Sequence, residues 1–352
     1  MDLTPYLKLM VEKSASDLFL TTNSPVKIKL EGTAMPVGKT VLTPDMTREA
    51  AYNIMNERQI AHFEESSECD FAIALPDGTG RFRVNVFKQR GDVGVVLRRI
   101  PTKIPTIEEL KLPPVLNEII EGKRGLILMV GGTGSGKSTT LAAMIDHRNK
   151  TQAGHILTIE DPVEFSHPNQ KSIVNQREVG VDTLSYHNAL KASLREAPDV
   201  ILIGEIRERE TMEAALELCN TGHLAVSTMH ANNANQAMER VINMFPQNLH
   251  KQLFMDLSLN LRAVISQRLV KSVDGKRVAA IEIMINTPHI AELILKGEIH
   301  EVKDAMEGSG AKGMQTFDQH LYNLYKEGRI SMEEALSNAD SRTNMEVKIN
   351  FG

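Results

Sequence analysis

Residues 126–138 read Leu126-Ile127-Leu128-Met129-Val130-Gly131-Gly132-Thr133-Gly134-Ser135-Gly136-Lys137-Ser138. Five apolar residues predict a buried strand, and the glycine, lysine and serine spacing that follows is that of a P-loop, which joins a strand to a helix. The glycines let successive backbone N–H groups face phosphate, and the helix beginning near Lys137 turns its positive end toward the same anion. The stretch therefore predicts a nucleotide-binding α/β domain.

Each residue of the loop has an expected role in binding ATP and Mg²⁺. The Lys137 ammonium should contact the β- and γ-phosphates, and the Ser138 hydroxyl should ligate Mg²⁺, which prefers oxygen ligands. A glycine-rich turn that merely packs is the alternative, and the strand–loop–helix setting argues against it. The predicted nucleotide-binding residues of the loop are Gly132, Thr133, Gly134, Ser135, Gly136, Lys137, Ser138 and Thr139.

Two acidic strand ends follow the loop. The apolar run of residues 199–205, DVILIGE, closes on Glu205, which should face Mg²⁺ directly or through its water shell. Residues 156–165, ILTIEDPVEF, carry three carboxylates within five residues, and Glu164 is placed to orient or deprotonate the water that attacks the γ-phosphorus. A solvated acidic turn is the alternative at each position.

A further segment, TGHLAVSTMH at residues 221–230, frames an apolar strand with His223 and His230. Either histidine could sense the phosphate by hydrogen bonding, and a purely structural histidine is the alternative. No matching set of Cys or carboxylate ligands accompanies them in the sequence, which argues against zinc.

The apolar runs divide the chain into an N-terminal α+β domain, a linker and a C-terminal α/β domain. Within residues 1–100, period-two alternation over Arg81–Phe87 and the run 93–100 predict an antiparallel hairpin turning at Gly91-Asp92. Four prolines within 101–114 predict a linker, taken as 101–118. The domain 119–352 should hold a largely parallel sheet with strands at 126–130, 156–159, 200–203, 224–228 and 278–285.

The last 65 residues are expected to be helical. Phe317, Leu321, Leu324 and Tyr325 form one apolar stripe, and Gly328 should end their helix. Ser331 and Glu334 predict a capping box at the next one.

Composition narrows the class of protein. A length of 352 residues suggests two domains, and no signal peptide or membrane-length apolar run is present, so we expect a cytoplasmic protein. A net charge of −5 and the lack of Trp argue against direct nucleic-acid binding. Cys69 and Cys219 are too few for a disulfide framework and are expected to be buried fillers.

Taken together, four segments resemble the Walker A, Asp-box, Walker B and His-box signatures of the type II/IV secretion ATPase superfamily. They are the P-loop, EDPVEF, DVILIGEIR and TGHLAVSTMHAN, in that order. The resemblance extends over the whole chain, through ASDLFL at residues 15–20, RFRVNVF at 81–87 and GMQTFDQHL at 313–321, and is greatest to the type IV pilus retraction ATPases. It implies a RecA-like ATPase domain preceded by a smaller PAS-like domain.

The resemblance also implies residue roles and partners. Glu164 would be the catalytic carboxylate, Glu205 the Walker B glutamate and His230 or His223 the His-box sensor. The ATPase would act as a homo-hexamer at the base of the pilus, peripheral to the inner membrane, with a platform protein and a PilT-like paralogue as partners. Arginines of the first domain would reach the phosphates, the candidates being Arg81, Arg83, Arg98 and Arg99, with Arg177 and Arg195 as weaker ones.

One departure from the family pattern concerns the AIRNLIRE motif of retraction ATPases. Residues 289–296 read HIAELILK, so both motif arginines are replaced, by Ala291 and Leu295. This favours the PilU branch, whose members assist rather than act alone. Three hypotheses remain at this stage: a hexameric motor that powers or assists pilus retraction, a nucleotide-binding adaptor ring that works through a partner motor, and a DNA-translocating ring, which would need a basic lumen.

Overall fold

The computed structural model describes residues 1–30, 32–101 and 103–351. Thr102 of the predicted linker and Gly352 of the predicted C-terminal domain lie outside the described residues. The chain divides into two compact units: Met1–Lys103 together with Glu164–Ser166 form the first, and Ile104–Val163 together with the chain from His167 onward form the second.

The first unit is an antiparallel sheet of six strands in the order β3-β2-β1-β6-β5-β4, accompanied by three helices. Phe82, Val84 and Val86 are fully buried on one face of β5, which confirms the predicted alternation. The elements are α1 (Thr4–Glu12), β1 (Asp17–Leu20), β2 (Pro25–Leu30), β3 (Thr33–Val41), α2 (Pro44–Asn53), α3 (Glu57–Ser66), β4 (Glu68–Ala74), β5 (Arg81–Gln89) and β6 (Asp92–Ile100).

The hairpin between β5 and β6 turns one residue earlier than predicted. Asp92 pairs with Gln89, so the two turn residues are Arg90 and Gly91, with φ values of 51° and 85°. Two consecutive residues with positive φ are typical of the two-residue type I′ turn, whose twist matches that of the strands. Glycine at position 91 adopts this conformation without the steric cost that a side chain would bring.

The second unit is built on a sheet of seven strands in the order β13-β12-β7-β11-β10-β8-β9. Its elements are α4 (Val115–Ile120), β7 (Gly125–Val130), α5 (Lys137–Thr151), β8 (Gly154–Glu160), β9 (Ser172–Glu178), α6 (Tyr186–Ser193), β10 (Val200–Ile203), α7 (Arg209–Asn220), β11 (Leu224–Met229), α8 (Ala234–Asn243), α9 (His250–Asn260), β12 (Leu261–Lys271), β13 (Arg277–Ile285), α10 (Pro288–Lys296), α11 (Val302–Glu307), α12 (Phe317–Lys326), α13 (Met332–Asn338) and α14 (Arg342–Phe351).

The strands of this sheet are parallel, except that the outermost strand β13 runs antiparallel to β12. All five predicted strands are present, and β9 and β12 are additional. Separate apolar clusters cover its two faces, one around Leu128 and Met212, the other around Ile127 and Met144. Burial on both faces is the arrangement expected of parallel strands in α/β proteins.

Much of the segment predicted as a linker packs as part of the second unit. Ile107, Leu112 and Leu116 are buried there, and Val115–Ile120 form α4. The prolines keep 103–114 free of helix and strand, yet apolar side chains between them contribute to the core.

The C-terminal region is helical, as predicted, and packs against β12 and β13. Phe317, Leu321 and Leu324 of α12 are fully buried, with Tyr325 partly buried beside them, and Gly328 follows the helix with φ 68°. The predicted capping box at α13 is half formed. Ser331 Oγ accepts the Glu334 N–H, but the Glu334 carboxylate accepts the Lys271 N–H instead of turning back to Ser331.

Within the part of the chain that the structure describes, no helix is long and apolar enough to cross a membrane.

Candidate functional site

The predicted P-loop lies between the end of β7 at Val130 and the start of α5 at Lys137. Lys137 Nζ donates hydrogen bonds to the carbonyl oxygens of Gly131 and Gly132, at 2.8 and 2.9 Å, so the ammonium lies against its own loop. Burial lowers the pKa of Lys137, and the negative charge of Glu205 opposes that shift. Gly132, Thr133, Gly134 and Ser138 are exposed, whereas Ser135 is buried. The loop is thus open on one side and packed on the other.

Two glycines of the loop are required by contacts with β12. A Cβ at Gly131, where φ is 155°, would lie 2.5 Å from the carbonyl oxygen of Gln267. A Cβ at Gly136, where φ is 88°, would lie 2.7 Å from Gln267 Nε2. At Gly131 the close atom belongs to the backbone, so a side chain there would displace β12. At Gly136 the close atom is the end of a side chain, and the positive φ is the main reason for glycine.

The parallel strands bring Glu205 and His230 to the edge of the sheet that carries the loop. Met229 pairs with Val130, and Ile203 pairs with Ser227, so the residues that follow these strands leave the sheet at the same edge. Glu205 Oε1 lies 3.3 Å from His230 Nε2, and its other carboxylate oxygen accepts Arg207 Nε at 2.9 Å and Nη2 at 2.7 Å. The Glu205 side chain is 15% exposed. Glu205 and His230 are therefore neighbours at this edge.

His223 lies at the opposite edge of the sheet, which corrects its inclusion as a candidate sensor. It precedes β11, where Leu224 pairs with Gly125 at the start of β7. Seven residue steps along β11 separate His223 from His230, which is about 23 Å at about 3.3 Å per residue. His223 Nδ1 lies 3.0 Å from Thr221 Oγ1 and 3.1 Å from the Leu218 carbonyl oxygen, so it has local partners instead.

The carboxylates of 156–165 have different surroundings. Glu160 is buried at the end of β8, where it accepts hydrogen bonds from Thr158 Oγ1 at 2.7 Å and Gln176 Nε2 at 3.4 Å. The Glu160 carboxylate thus has hydrogen-bond donors from the protein itself. Glu164 is exposed, directly after the buried Val163, and belongs to the short segment grouped with the first unit.

The candidate arginines of the first unit do not share one face of its sheet. Arg81, Arg83 and Arg98 lie on the face opposite Phe82, because Arg83 pairs with Arg98 and strand residues alternate. Arg99 pairs with Phe82 and so lies on the other face. Arg98 Nε donates to the buried Asp17 carboxylate at 2.9 Å.

The two weaker candidates, Arg177 and Arg195, both belong to the second unit. Arg177 on β9 is paired with Glu196 at 2.9 Å, and Arg195 is exposed after α6.

Three site neighbours were not singled out from the sequence. Arg207 follows Glu205 by two residues and ends the DVILIGEIR segment, so its place in that segment could have marked it as a site residue. Tyr186 Oη lies 2.6 Å from where a Cβ of Gly204 would be, and burial, with the charges of Asp161 and Glu160, raises the Tyr186 pKa. Gln267 reaches the loop from β12, a strand that the sequence did not predict, so no local pattern indicated it.

The donor set fits Mg²⁺ better than a softer metal. Ser138 supplies an exposed hydroxyl on the first turn of α5 and Glu205 a carboxylate, both oxygen donors of the kind Mg²⁺ prefers beside phosphates. Among residues 1–30, 32–101 and 103–351, no three His, Cys, Asp or Glu side chains converge on a common metal position. Cys69 and Cys219 are both buried, as predicted, and burial raises the Cys219 pKa to about 12.

The two histidines provide a matched test of this geometry. We expect His230→Ala to lower the ATPase kcat by about tenfold to a hundredfold, the range for losing one hydrogen bond to a charged group. His223→Ala should leave kcat within about twofold, because His223 lies at the far edge of the sheet. Steady-state kinetics on both variants, with melting temperatures as a control for folding, measure the difference. Equal losses in the two variants would contradict the placement.

Comparison with known proteins gives full-length matches. A family model described as type II/IV secretion system protein matches residues 2–345. The type IV pilus ATPase PilU of Pseudomonas aeruginosa is 55% identical over 353 aligned positions, covering 100% of this chain and 92% of the relative. PilT of the same organism, described as the type IV pilus retraction ATPase, is 44% identical over 339 residues, covering 96% of this chain and 98% of the relative.

A solved structure matches the whole fold. The crystal structure of the pilus retraction motor PilT with bound ADP superposes with a TM-score of 0.91 at 41% identity, covering 98% of this chain and 99% of that one. This match confirms the predicted fold class, a RecA-like ATPase domain with a smaller N-terminal α+β domain. The sequence matches confirm the resemblance to the retraction ATPases, and identity is higher to the PilU relative than to the PilT relative.

Proposed function

The chain belongs to the type II/IV secretion system protein family, and from that premise we propose that it hydrolyses ATP to power or assist type IV pilus retraction and thus twitching motility. One observation carries the proposal. The edge of the sheet that holds the P-loop also holds the neighbouring Glu205 and His230, on a chain that superposes on a retraction motor with bound ADP.

In the proposed mechanism the loop recognises the phosphates by electrostatics. Backbone N–H groups from Gly132 to Thr139 and the positive end of α5 attract the anion, and Lys137 adds a full positive charge. Preorganised donors of this kind stabilise the charge that develops as the γ-phosphoryl group is transferred. His230, held beside Glu205, would report whether the γ-phosphate is present.

The two carboxylates have different proposed roles, water activation for Glu164 and Mg²⁺ binding for Glu205. Glu164 is proposed to orient and deprotonate the attacking water, a contribution typically worth about 10²- to 10⁴-fold in rate. Ser138 would hold Mg²⁺ directly and Glu205 through water, and the cation would neutralise charge on the phosphate oxygens. Positive charge from the first unit is proposed to come either from Arg81, Arg83 and Arg98 on one face of its sheet or from Arg99 on the other. Arg98 is the weaker choice because Asp17 already holds it.

The assembly that this function requires is proposed from the same family membership. We propose a homo-hexameric ring in the cytoplasm, peripheral to the inner membrane, that contacts a platform protein at the base of the pilus and cooperates with a PilT-like paralogue. The names of the two Pseudomonas aeruginosa relatives, both pilus ATPases, support the pilus as the place of action.

An adaptor ring is the second candidate function, and the surface of α10 favours it. Leu295, which stands where the retraction ATPase motif has an arginine, is 53% exposed on that helix. The replacement of both motif arginines is the observation behind this candidate, in which the ring would act mainly through another motor.

An ATPase assay on the purified protein separates the two functions. We expect turnover by the chain alone in the presence of Mg²⁺, because loop, glutamates and histidine are all present. Phosphate release should be measured with and without the PilT-like paralogue, and with and without DNA. Turnover only in the mixture would favour the adaptor, and stimulation by DNA would favour a translocating ring.

A further inference from the structure

Gln267 lies beneath the P-loop and is 2% exposed. It follows Ser266 of β12, which pairs with Val130, the last residue of β7 before the loop. The side chain thus leaves β12 level with the point where the chain enters the loop. A buried carboxamide requires hydrogen-bond partners, since leaving one unpaired in the interior is costly.

Both ends of the Gln267 carboxamide have partners in the nucleotide-binding element. Nε2 donates to the Ser135 carbonyl oxygen at 2.8 Å, and Oε1 accepts from Thr140 Oγ1 at 2.7 Å. Ser135 is in the loop, whereas Thr140 is in the first turn of α5 and is 1% exposed. One side chain therefore ties the loop to the helix that follows it.

The bond to Ser135 also sets the direction of a backbone N–H group. In a trans peptide the carbonyl oxygen and the next N–H lie in one plane and point in opposite directions. With the Ser135 carbonyl turned toward Gln267, the Gly136 N–H is turned away from β12, toward the open side of the loop. Gly136 has φ 88°, a conformation that glycine adopts without steric cost.

We propose that Gln267 is a positioning residue for nucleotide binding: its carboxamide holds the Ser135–Gly136 peptide so that the Gly136 N–H faces the phosphates. The role rests on the proposed function, because the anion is taken to be the phosphate of a bound nucleotide. Gln267 does not itself touch that anion. It acts by keeping a donor preorganised, which removes a reorganisation cost at the moment of binding.

The test compares two identical exchanges in the full-length protein. Gln267→Glu keeps the size and the acceptor for Thr140 but turns a donor into an oxygen that opposes the Ser135 carbonyl. Gln315→Glu is the matched control, because Gln315 Nε2 also donates to a backbone carbonyl, that of Ile281 on β13, at 2.8 Å. The probe is a fluorescent ADP analogue. We expect Kd to rise by about tenfold or more for Gln267→Glu and by less than about twofold for Gln315→Glu.

Two further variants keep the test informative if a buried glutamate prevents folding. Gln267→Met retains an apolar stem of similar length and loses both hydrogen bonds, so Kd should rise by about threefold to tenfold. Thr140→Val removes only the second bond and should change Kd less than Gln267→Met does. This order is a readout that a general loss of packing would not produce. Melting temperatures without nucleotide should accompany each Kd.

The outcomes separate this inference from the proposed function. A wild-type protein that fails to bind the probe would refute the function and the inference together. If the wild-type protein binds the probe, and the Kd values of Gln267→Glu and Gln267→Met both stay within about twofold of the wild-type Kd, the positioning role alone is refuted. A larger effect of Thr140→Val than of Gln267→Met would also overturn it.

Discussion

Replacing Lys137 with alanine is expected to raise the Kd for ATP by about a hundredfold and to remove measurable hydrolysis. The ammonium is the one full positive charge within the loop, where it lies 2.8 and 2.9 Å from the Gly131 and Gly132 carbonyl oxygens. A hundredfold change in Kd corresponds to about 2.7 kcal/mol, which is reasonable for a charged donor to phosphate in a partly buried site. Binding can be measured by calorimetry and turnover by phosphate release.

Lys150→Ala is the matched control for this variant. Lys150 lies near the other end of the same helix and pairs with Asp146 at 2.6 Å, one turn away. Its removal should leave Kd and kcat within about twofold, because Lys150 lies more than three helical turns from the loop. The Asp146 side chain that it pairs with is buried, so a melting temperature should accompany the measurement. If Lys137→Ala and Lys150→Ala hydrolyse ATP at the same rate, the loop is not the site of hydrolysis.

Replacing Glu164 with glutamine is expected to leave ATP bound but to lower kcat by about 10²- to 10⁴-fold. Glutamine keeps the size of the side chain and removes its negative charge, so it can no longer accept the proton of the attacking water. Kd should stay near the wild-type value because Glu164 is proposed to act on the water and not on the nucleotide. Single-turnover hydrolysis, with Kd measured on the same samples, separates the two effects.

An exposed glutamate elsewhere controls for the loss of charge. Glu217 lies on α7, near the edge of the sheet where His223 is found, and Glu217→Gln should be indistinguishable from wild type. A normal rate for Glu164→Gln would show that another group activates the water. Weakened ATP binding in that variant would show instead that Glu164 contacts the nucleotide.

Local patterns were enough to predict the elements that surround the P-loop. A continuous apolar run is typical of a strand buried on both faces, and 126–130, 200–203 and 224–228 are fully apolar or nearly so. β12 and β9 carry polar residues among apolar ones, such as Gln267 and Arg268 in β12, and so lack this signal. The polar residues of β12 are partnered from distant parts of the chain, which no local pattern reveals.

In the candidate site, too, some residues could be placed from local patterns, whereas others depend on contacts with distant parts of the chain. Glu205 and His230 each follow a predicted parallel strand. Their proximity could therefore be expected from the rule that the carboxyl ends of such strands meet at one edge of the sheet. The same rule, applied to the start of β11, would have excluded His223. The bond from Gln267 to Ser135 joins residues 132 positions apart, and that from Arg98 to Asp17 spans 81, so both depend on strand order.

The most direct test of the account is a crystal structure of the protein with Mg²⁺ and a non-hydrolysable ATP analogue. We predict that the β- and γ-phosphates lie within hydrogen-bond distance of the backbone N–H groups of residues 132–139 and of Lys137 Nζ, with Glu205 and His230 on the γ-phosphate side. Triphosphate bound elsewhere on the chain, or bound at the loop with Glu205 and His230 turned away from it, would contradict the assignment.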